Sequence, residues 1–324
     1  MKYTSRRKIA LLCIILIYSC FLTGCGGLSY EMPYEADSSV SSFNVVSRQD
    51  FRVAEPFARN LCVLTGNVSG SEGLNLEQAD AAVLFDLNQC KVLYAKNPHK
   101  KLHPASLTKV MTALVALKNG SPEQVLTATS SVNITESGAQ LLGLKAGDTM
   151  TLDQALRILL LYSANDVAMM IAEGVGGTVD NFVEMMNAEA RSLGATNTNF
   201  MNPHGLTDPD HLTTAYDLYL IFNEAIKNET FREIIQMTSY QTTYYDANGN
   251  PKDVDKSTTN LFLRGDYQAP SNVTVIGGKT GTTSAAGHCL MLLSRDVSGG
   301  SYISVILNSG DALYDEMTEL LGEI

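Results

Sequence analysis

Strand-like segments stand at both ends of the region from residue 80 onward, and helical patterns fill the space between them. Near the front, residues 81–86 and 91–94 read as two strands joined by the tight turn Leu87-Asn88-Gln89-Cys90. Near the end, 274–281, 288–294 and 302–307 read as three more, the last two joined across Ser298-Gly299-Gly300. A sheet completed by segments so far apart must admit everything between them as an insertion. The pattern therefore predicts an α+β domain, an antiparallel sheet flanked by helices with an inserted helical lobe. With 324 residues and 45% hydrophobic content, the chain suffices for one large or two small cores.

The intervening segments carry recognisable helix signals. After Pro104, the residues Leu107, Val110, Met111, Leu114 and Leu117 recur at spacings of three and four, predicting a buried helix that ends at Asn119-Gly120. Thr151-Leu152-Asp153-Gln154 matches a capping box. The helix it opens is interrupted at 162–166, resumes through Ala172 and breaks at Gly174 to Gly177. Another helix spans 178–193 and stops at Gly194; residues 195–212 are a loop, and 213–237 is helical again. Residues 239–245 and the turn 246–250 read as the start of a hairpin, and 310–324 as a closing amphipathic helix. Leu61-Cys62-Val63-Leu64 reads as a short strand, 66–73 as a loop, and 125–150 as a mixed segment without period.

The N-terminus has a different character. Lys2, Arg6, Arg7 and Lys8 precede an apolar run, 9–22, too short to span a bilayer comfortably. It ends in Leu22-Thr23-Gly24-Cys25-Gly26-Gly27, which resembles a bacterial lipobox. That resemblance implies a signal peptide over 1–24, cleavage before Cys25 and a lipid on its sulfur. Residues 25–58, polar and serine-rich, then read as a flexible tether, and 59–324 as the folded domain. Without its four leading cations the chain has 19 basic against 34 acidic residues. So acidic a protein has no broad footprint for nucleic acid, and any anion it binds needs a local cation. Cys62, Cys90 and Cys289 remain beyond Cys25. Pairing of Cys62 with Cys90 is open, and Cys289, in an apolar strand pattern, reads as a buried thiol.

Three short motifs supply chemistry. Ser106-Leu107-Thr108-Lys109 opens the buried helix, with Lys109 one turn beyond Ser106 on the same face. A hydroxyl beside an amine at a helix start is a nucleophile beside a base. To act, Lys109 must be neutral, and burial plus a nearby Lys279 cation would both lower its pKa. Ser163-Ala164-Asn165 interrupts two helices, and Lys279-Thr280-Gly281 ends a strand. Ser-x-x-Lys and Ser-x-Asn recur elsewhere in the chain and Lys-Thr-Gly occurs once; in this order and context the three form the set known from penicillin-binding proteins and class A β-lactamases.

With Pro104-Ala105, Asn202-Pro203-His204-Gly205-Leu206, Thr213-Thr214-Ala215-Tyr216-Asp217-Leu218 and Gly278 to Gly287, the sequence resembles the low-molecular-mass D-alanyl-D-alanine carboxypeptidases over about 80–324. The resemblance implies a β-lactamase/transpeptidase-like fold. It implies removal of the terminal D-alanine from peptidoglycan stem pentapeptides through an acyl-serine intermediate. β-Lactams would be covalent inhibitors, with no cofactor and no metal. Ser106 would be the nucleophile, Lys109 its base, Ser163 a proton relay, and Asn165 the group orienting Lys109 and the substrate amide. Lys279 and Thr280 would hold the terminal carboxylate, and Gly281 would let the substrate backbone approach the strand. The N–H groups of Ser106 and Thr282 would form the oxyanion hole. Many relatives carry a further β-rich domain and a membrane-binding helix; here the lipid on Cys25 would anchor the exported protein to the outer face of the membrane. A DD-endopeptidase or transpeptidase of the same family is the alternative. A class A β-lactamase or a non-catalytic wall-binding lipoprotein is less favoured. Asp166 reads as the N-cap of the resumed helix, and His204 and His211 as structural.

Overall fold

The computed structural model describes residues 60–72 and 74–324. The signal segment, Cys25 and the tether lie outside the described residues. Nine strands are assigned within them. Five form one antiparallel sheet in the order β2-β1-β9-β8-β7: β1 (Ala81–Asp86), β2 (Lys91–Lys96), β7 (Val273–Thr283), β8 (Gly287–Asp296) and β9 (Ser301–Ser309). The front pair thus joins the rear three, with Ala81 opposite Leu307 and Asp86 opposite Tyr302.

β1 is buried along its whole length, which is why it reads as an unbroken apolar run rather than an alternating one. Its residues divide between two cores. Val83 and Phe85 join Met291 and Val305 under the helical lobe. Ala82 and Leu84 join Leu290, Leu292 and Ile306 on the opposite face. That second face is covered by the closing helix Leu313–Leu321 through Leu313, Met317, Leu320 and Leu321.

The lobe is built around α1 (Thr108–Asn119), in which every residue from Thr108 to Ala116 is buried. It packs against α2 (Leu152–Leu161), α3 (Asn165–Gly176), α4 (Val179–Ser192) and α5 (Ala215–Ala225). α5 in turn lies on β1 and β9, so α1 and the sheet share one continuous core. The capping box at Thr151 is formed in full.

Several expectations need correction. Leu61 to Leu64 is not a strand; the pairing nearby is the single bridge Val68 to Ala95. Cys62 and Leu64 are buried for packing, and the Cys62 N–H donates to Tyr219 Oη at 2.8 Å. The stretch 213–237 is two helices, α5 and α6 (Glu229–Ile235), because Asn228 turns its side chain onto the Phe231 N–H and caps a new start. Gly174 does not break α3, which continues to Gly176 and ends where Gly177 adopts φ 76°. A four-stranded sheet, β3-β4-β5-β6, adds the short strands β3 (Val125–Thr127) and β4 (Thr149–Thr151) to the hairpin β5 (Ser239–Tyr245) and β6 (Pro251–Ser257). Cys62, Cys90 and Cys289 are free thiols. Cys289 is the buried thiol its strand pattern suggested, and burial pushes it up to about 12.

Candidate active site

Ser106 lies in a single 3-10 turn, Ala105–Leu107, that runs straight into α1. The turn is strained and clamped. Ala105 sits at φ 47°, a left-handed conformation costly for a residue with a Cβ. Its carbonyl accepts from Thr108 Oγ1 at 2.8 Å, and Thr108 Oγ1 lies 2.8 Å from His211 Nε2. The Met201 N–H donates to His211 Nδ1, so the ring proton belongs on Nε2 and points at Thr108. Burial holds His211 down at about 4 and His204 at about 3, so both rings are neutral props at physiological pH.

Gly205 and Gly281 bracket the same turn. A Cβ on Gly205 would fall 1.9 Å from the Ala105 carbonyl oxygen. One on Gly281 would fall 2.9 Å from the Ser106 nitrogen and 3.2 Å from that of Leu107. The missing side chain at 281 therefore makes room for the Ser106 turn itself, not simply for an incoming substrate.

Lys109 is fully buried. Its Nζ lies 2.8 Å from Ser106 Oγ, 2.6 Å from Asn165 Oδ1 and 2.6 Å from the His204 carbonyl oxygen. Among the described residues no carboxylate touches it. Burial, and then the Lys279 cation, hold it well below the ordinary lysine range, with Asp166 pulling weakly the other way.

The opposite wall is β7. Lys279 is 1% exposed; its Nζ donates to Ser163 Oγ at 2.9 Å and to the Thr280 carbonyl at 2.8 Å. Burial lowers it to about 7. Ser163 reaches it from the α2–α3 junction, where the chain adopts φ 71°. Thr280 Oγ1 lies 2.6 Å from Thr259 Oγ1, and Thr282 Oγ1 lies 3.1 Å from His288 Nδ1.

Between the walls is a cleft of about 580 Å³. Ser106, Ser163, Asn165, Thr280, Gly281 and Thr282 line it. Lys109 and Lys279 do not; each stands behind a serine hydroxyl. The expectation that Lys279 grips an anion directly is thus modified, since its charge reaches the cleft through Ser163 and the Thr280 backbone.

Two parts of the site escaped sequence reading. The rim at Gly138, Ala139 and Gln140 comes from an irregular loop with no period to find. Asp166 is not an N-cap: Ala164 holds that position, and the Asp166 carboxylate accepts from that loop instead. Among the described residues no cluster of three or more His, Cys, Asp or Glu side chains is gathered to hold a metal ion.

A family model described as D-alanyl-D-alanine carboxypeptidase matches residues 71–311. The carboxypeptidase DacF of Bacillus subtilis is 34% identical over 66% of this chain and 53% of its own length. DacB2 of Mycobacterium tuberculosis is 35% identical over 64% of this chain and 67% of its own. The chain spans about half the length of the longer curated relatives it matches. Among solved structures, the Streptomyces K15 DD-transpeptidase superposes with a TM-score of 0.71 at 26% identity, over 79% of this chain and 98% of that one.

Proposed function

Because this chain belongs to the D-alanyl-D-alanine carboxypeptidase family, we propose that it removes the terminal D-alanine from peptidoglycan stem pentapeptides through an acyl-serine intermediate, with Ser106 as nucleophile. One observation carries the reading: the surroundings of Lys109 Nζ. A lysine ammonium has three protons to donate and no lone pair. A neutral amine donates twice and accepts once. Asn165 Oδ1 and the His204 carbonyl can only accept, whereas Ser106 Oγ can donate. The neutral form, favoured by burial, therefore fits with its lone pair on the Ser106 proton.

In acylation, Ser106 Oγ bonds to the carbonyl carbon between the two D-alanines, and Lys109 takes the hydroxyl proton. The carbon–nitrogen bond then breaks, and the proton that Lys109 took passes on to the departing amine by way of the Ser163 hydroxyl, which Lys279 orients by donating a hydrogen bond to it while keeping its own charge. In deacylation a water adds its hydroxide to the acyl carbon and returns a proton to Ser106. The N–H groups of Ser106 and Thr282 would carry the oxyanion. A β-lactam follows the first half of this path but keeps its leaving nitrogen tethered. Thr280 and Thr282 would bind the substrate's terminal carboxylate as hydroxyl donors, with the Lys279 charge behind them.

No glutamate lines the cleft among the described residues, and Glu173 is occupied by Thr129 and Ser131, which disfavours β-lactamase-type deacylation. Acyl transfer to an amine is the second reading, favoured by the DD-transpeptidase likeness. Export, and anchoring through a lipid on Cys25 at the outer face of the membrane, complete the proposal; the lipobox-like sequence supports them.

The test offers purified protein a soluble pentapeptide ending in D-Ala-D-Ala, its C-terminal amide, and a cross-linked dimer, with and without added glycine as amine acceptor. Release of single D-alanine from the free acid, faster than dimer cleavage and slowed by amidation, is expected. Faster cutting of the dimer, or incorporation of most acyl groups into glycine, would replace the carboxypeptidase reading with an endopeptidase or transpeptidase one.

A further inference from the structure

The irregular segment 133–148 forms one rim of the cleft, yet contains no helix or strand to hold it. Its middle is gathered by one carboxylate from outside the segment. Asp166 is 1% exposed. Its Oδ1 accepts the Leu142 N–H at 2.9 Å, and its Oδ2 accepts those of Gly143 at 2.7 Å and Leu144 at 3.0 Å. A fourth bond, from Val167 N–H to Oδ1 at 3.0 Å, ties the group to the first turn of α3. The rim answers in kind: the Gln140 carbonyl accepts the N–H of Asn165 at 2.8 Å. Asn165 is the residue whose side-chain oxygen lies 2.6 Å from Lys109 Nζ.

We propose that Asp166 is a positioning residue for this site, its carboxylate fastening the rim to the start of α3 and so holding Asn165 Oδ1 against Lys109 and the rim against the bound substrate. Three consecutive N–H groups converging on two carboxylate oxygens form an anion-shaped nest, and the anion is supplied by the chain itself. The same charge has an electrostatic consequence. The ionisable groups facing Lys109 are Lys279 from β7, Asp166 from α3, and His204 and His211 from the loop before α5. Lys279 disfavours the ammonium form and the two rings are neutral, so Asp166 alone supports it. Removing that charge makes Lys109 easier to deprotonate and moves the acid limb of acylation to lower pH. A purely architectural role would slow acylation without moving the limb.

The catalytic consequence rests on the acyl-serine reading; the clamp does not. The experiment measures penicillin acylation against pH for wild type and Asp166→Asn, with amide hydrogen exchange on wild type alone. The substituted amide would keep the shape of the carboxylate but replace one acceptor oxygen with a competing donor. The expected result is acylation at least about 10-fold slower at the plateau, as for lost alignment, with the acid limb displaced to lower pH. In wild type the amides of Leu142, Gly143 and Leu144 exchange as slowly as those of α3. If Asp166→Asn acylates as wild type does, if it slows with the limb unmoved, or if those wild-type amides exchange at open-loop rates, the proposal is overturned. Absence of labelling in wild type would instead defeat the acyl-serine reading, while the exchange data still judge the clamp.

Discussion

The cleft has two walls, and each hides a buried lysine behind a serine. The helical wall surrounds Lys109 with three oxygen atoms from three separate segments: the Ser106 turn, α3 and the 195–214 loop. The strand wall gives Lys279 only Ser163 and the carbonyl next along its own strand. Neither has a carboxylate partner among the described residues, so burial pushes both toward neutrality, and at Lys109 the Lys279 cation acts in the same direction. The difference is one of task. Lys109 is saturated by the protein and has only the Ser106 proton left to take. Lys279 is left short of anionic partners beside an open cleft, which suits it to a carboxylate that arrives with the substrate.

The contrast is broken most severely at Lys109. In Lys109→Arg the guanidinium stays protonated, so it supplies charge but no base. Penicillin acylation should fall by about 10²–10⁴-fold, the range for a lost acid–base group, as measured by stopped-flow or quench kinetics. Near-wild-type acylation would mean that the two walls are not specialised as described.

Lys279→Gln should cost less. Loss of a charged hydrogen-bonding partner is worth roughly 1.5–3 kcal/mol, or about 10–100-fold in kcat/KM for the free-acid pentapeptide, with little further loss on amidation. The pH profile sharpens the same point. Lys109 works deprotonated, so kcat/KM rises as pH climbs through its depressed pKa. Lys279 works protonated, so in wild type kcat/KM falls as pH passes about 7. That alkaline fall should be absent for the amidated peptide and for Lys279→Gln. A fall shared by all three would assign it to another group.

The smallest effect belongs to the scaffold behind the helical wall. Thr108→Val removes the hydroxyl that serves both the Ala105 carbonyl and His211 Nε2. Two buried polar groups then lose their partner, at about 1–3 kcal/mol of stability. Thermal melting should show this, with acylation reduced far less than in Lys109→Arg. A melt unchanged from wild type would remove Thr108 from the clamp.

The two walls were also unequally legible. The strand wall could be read because β8 and β9 are long and apolar and because Lys279-Thr280-Gly281 follows an apolar run, although β7 continues two residues past the motif to Thr283. Helical spacing put Ser106 and Lys109 on one face, but only the other two motifs made that pair stand out. What spacing could not convey was depth: that Lys279 lies behind Ser163, or that Gly281 is small to admit the Ser106 turn. β3 and β4 are three residues each, too short for an alternation to declare itself. The rim escaped for a different reason. Three of its N–H groups are gathered by an aspartate more than twenty residues downstream, and a single Asp at a helix start looks like a cap. Asn228 worked the other way, its local capping bond dividing a stretch that apolar content had joined.

The central claim is that one hydroxyl, Ser106 Oγ, becomes covalently acylated because Lys109 takes its proton. Intact-mass measurement after brief incubation with a penicillin, in wild type and Ser106→Ala, tests it most directly. The account predicts one penicilloyl adduct on wild type, mapped by peptide digestion to Ser106, and an unmodified, normally folded Ser106→Ala. An adduct on Ser106→Ala, or one mapped to another residue in wild type, would contradict it.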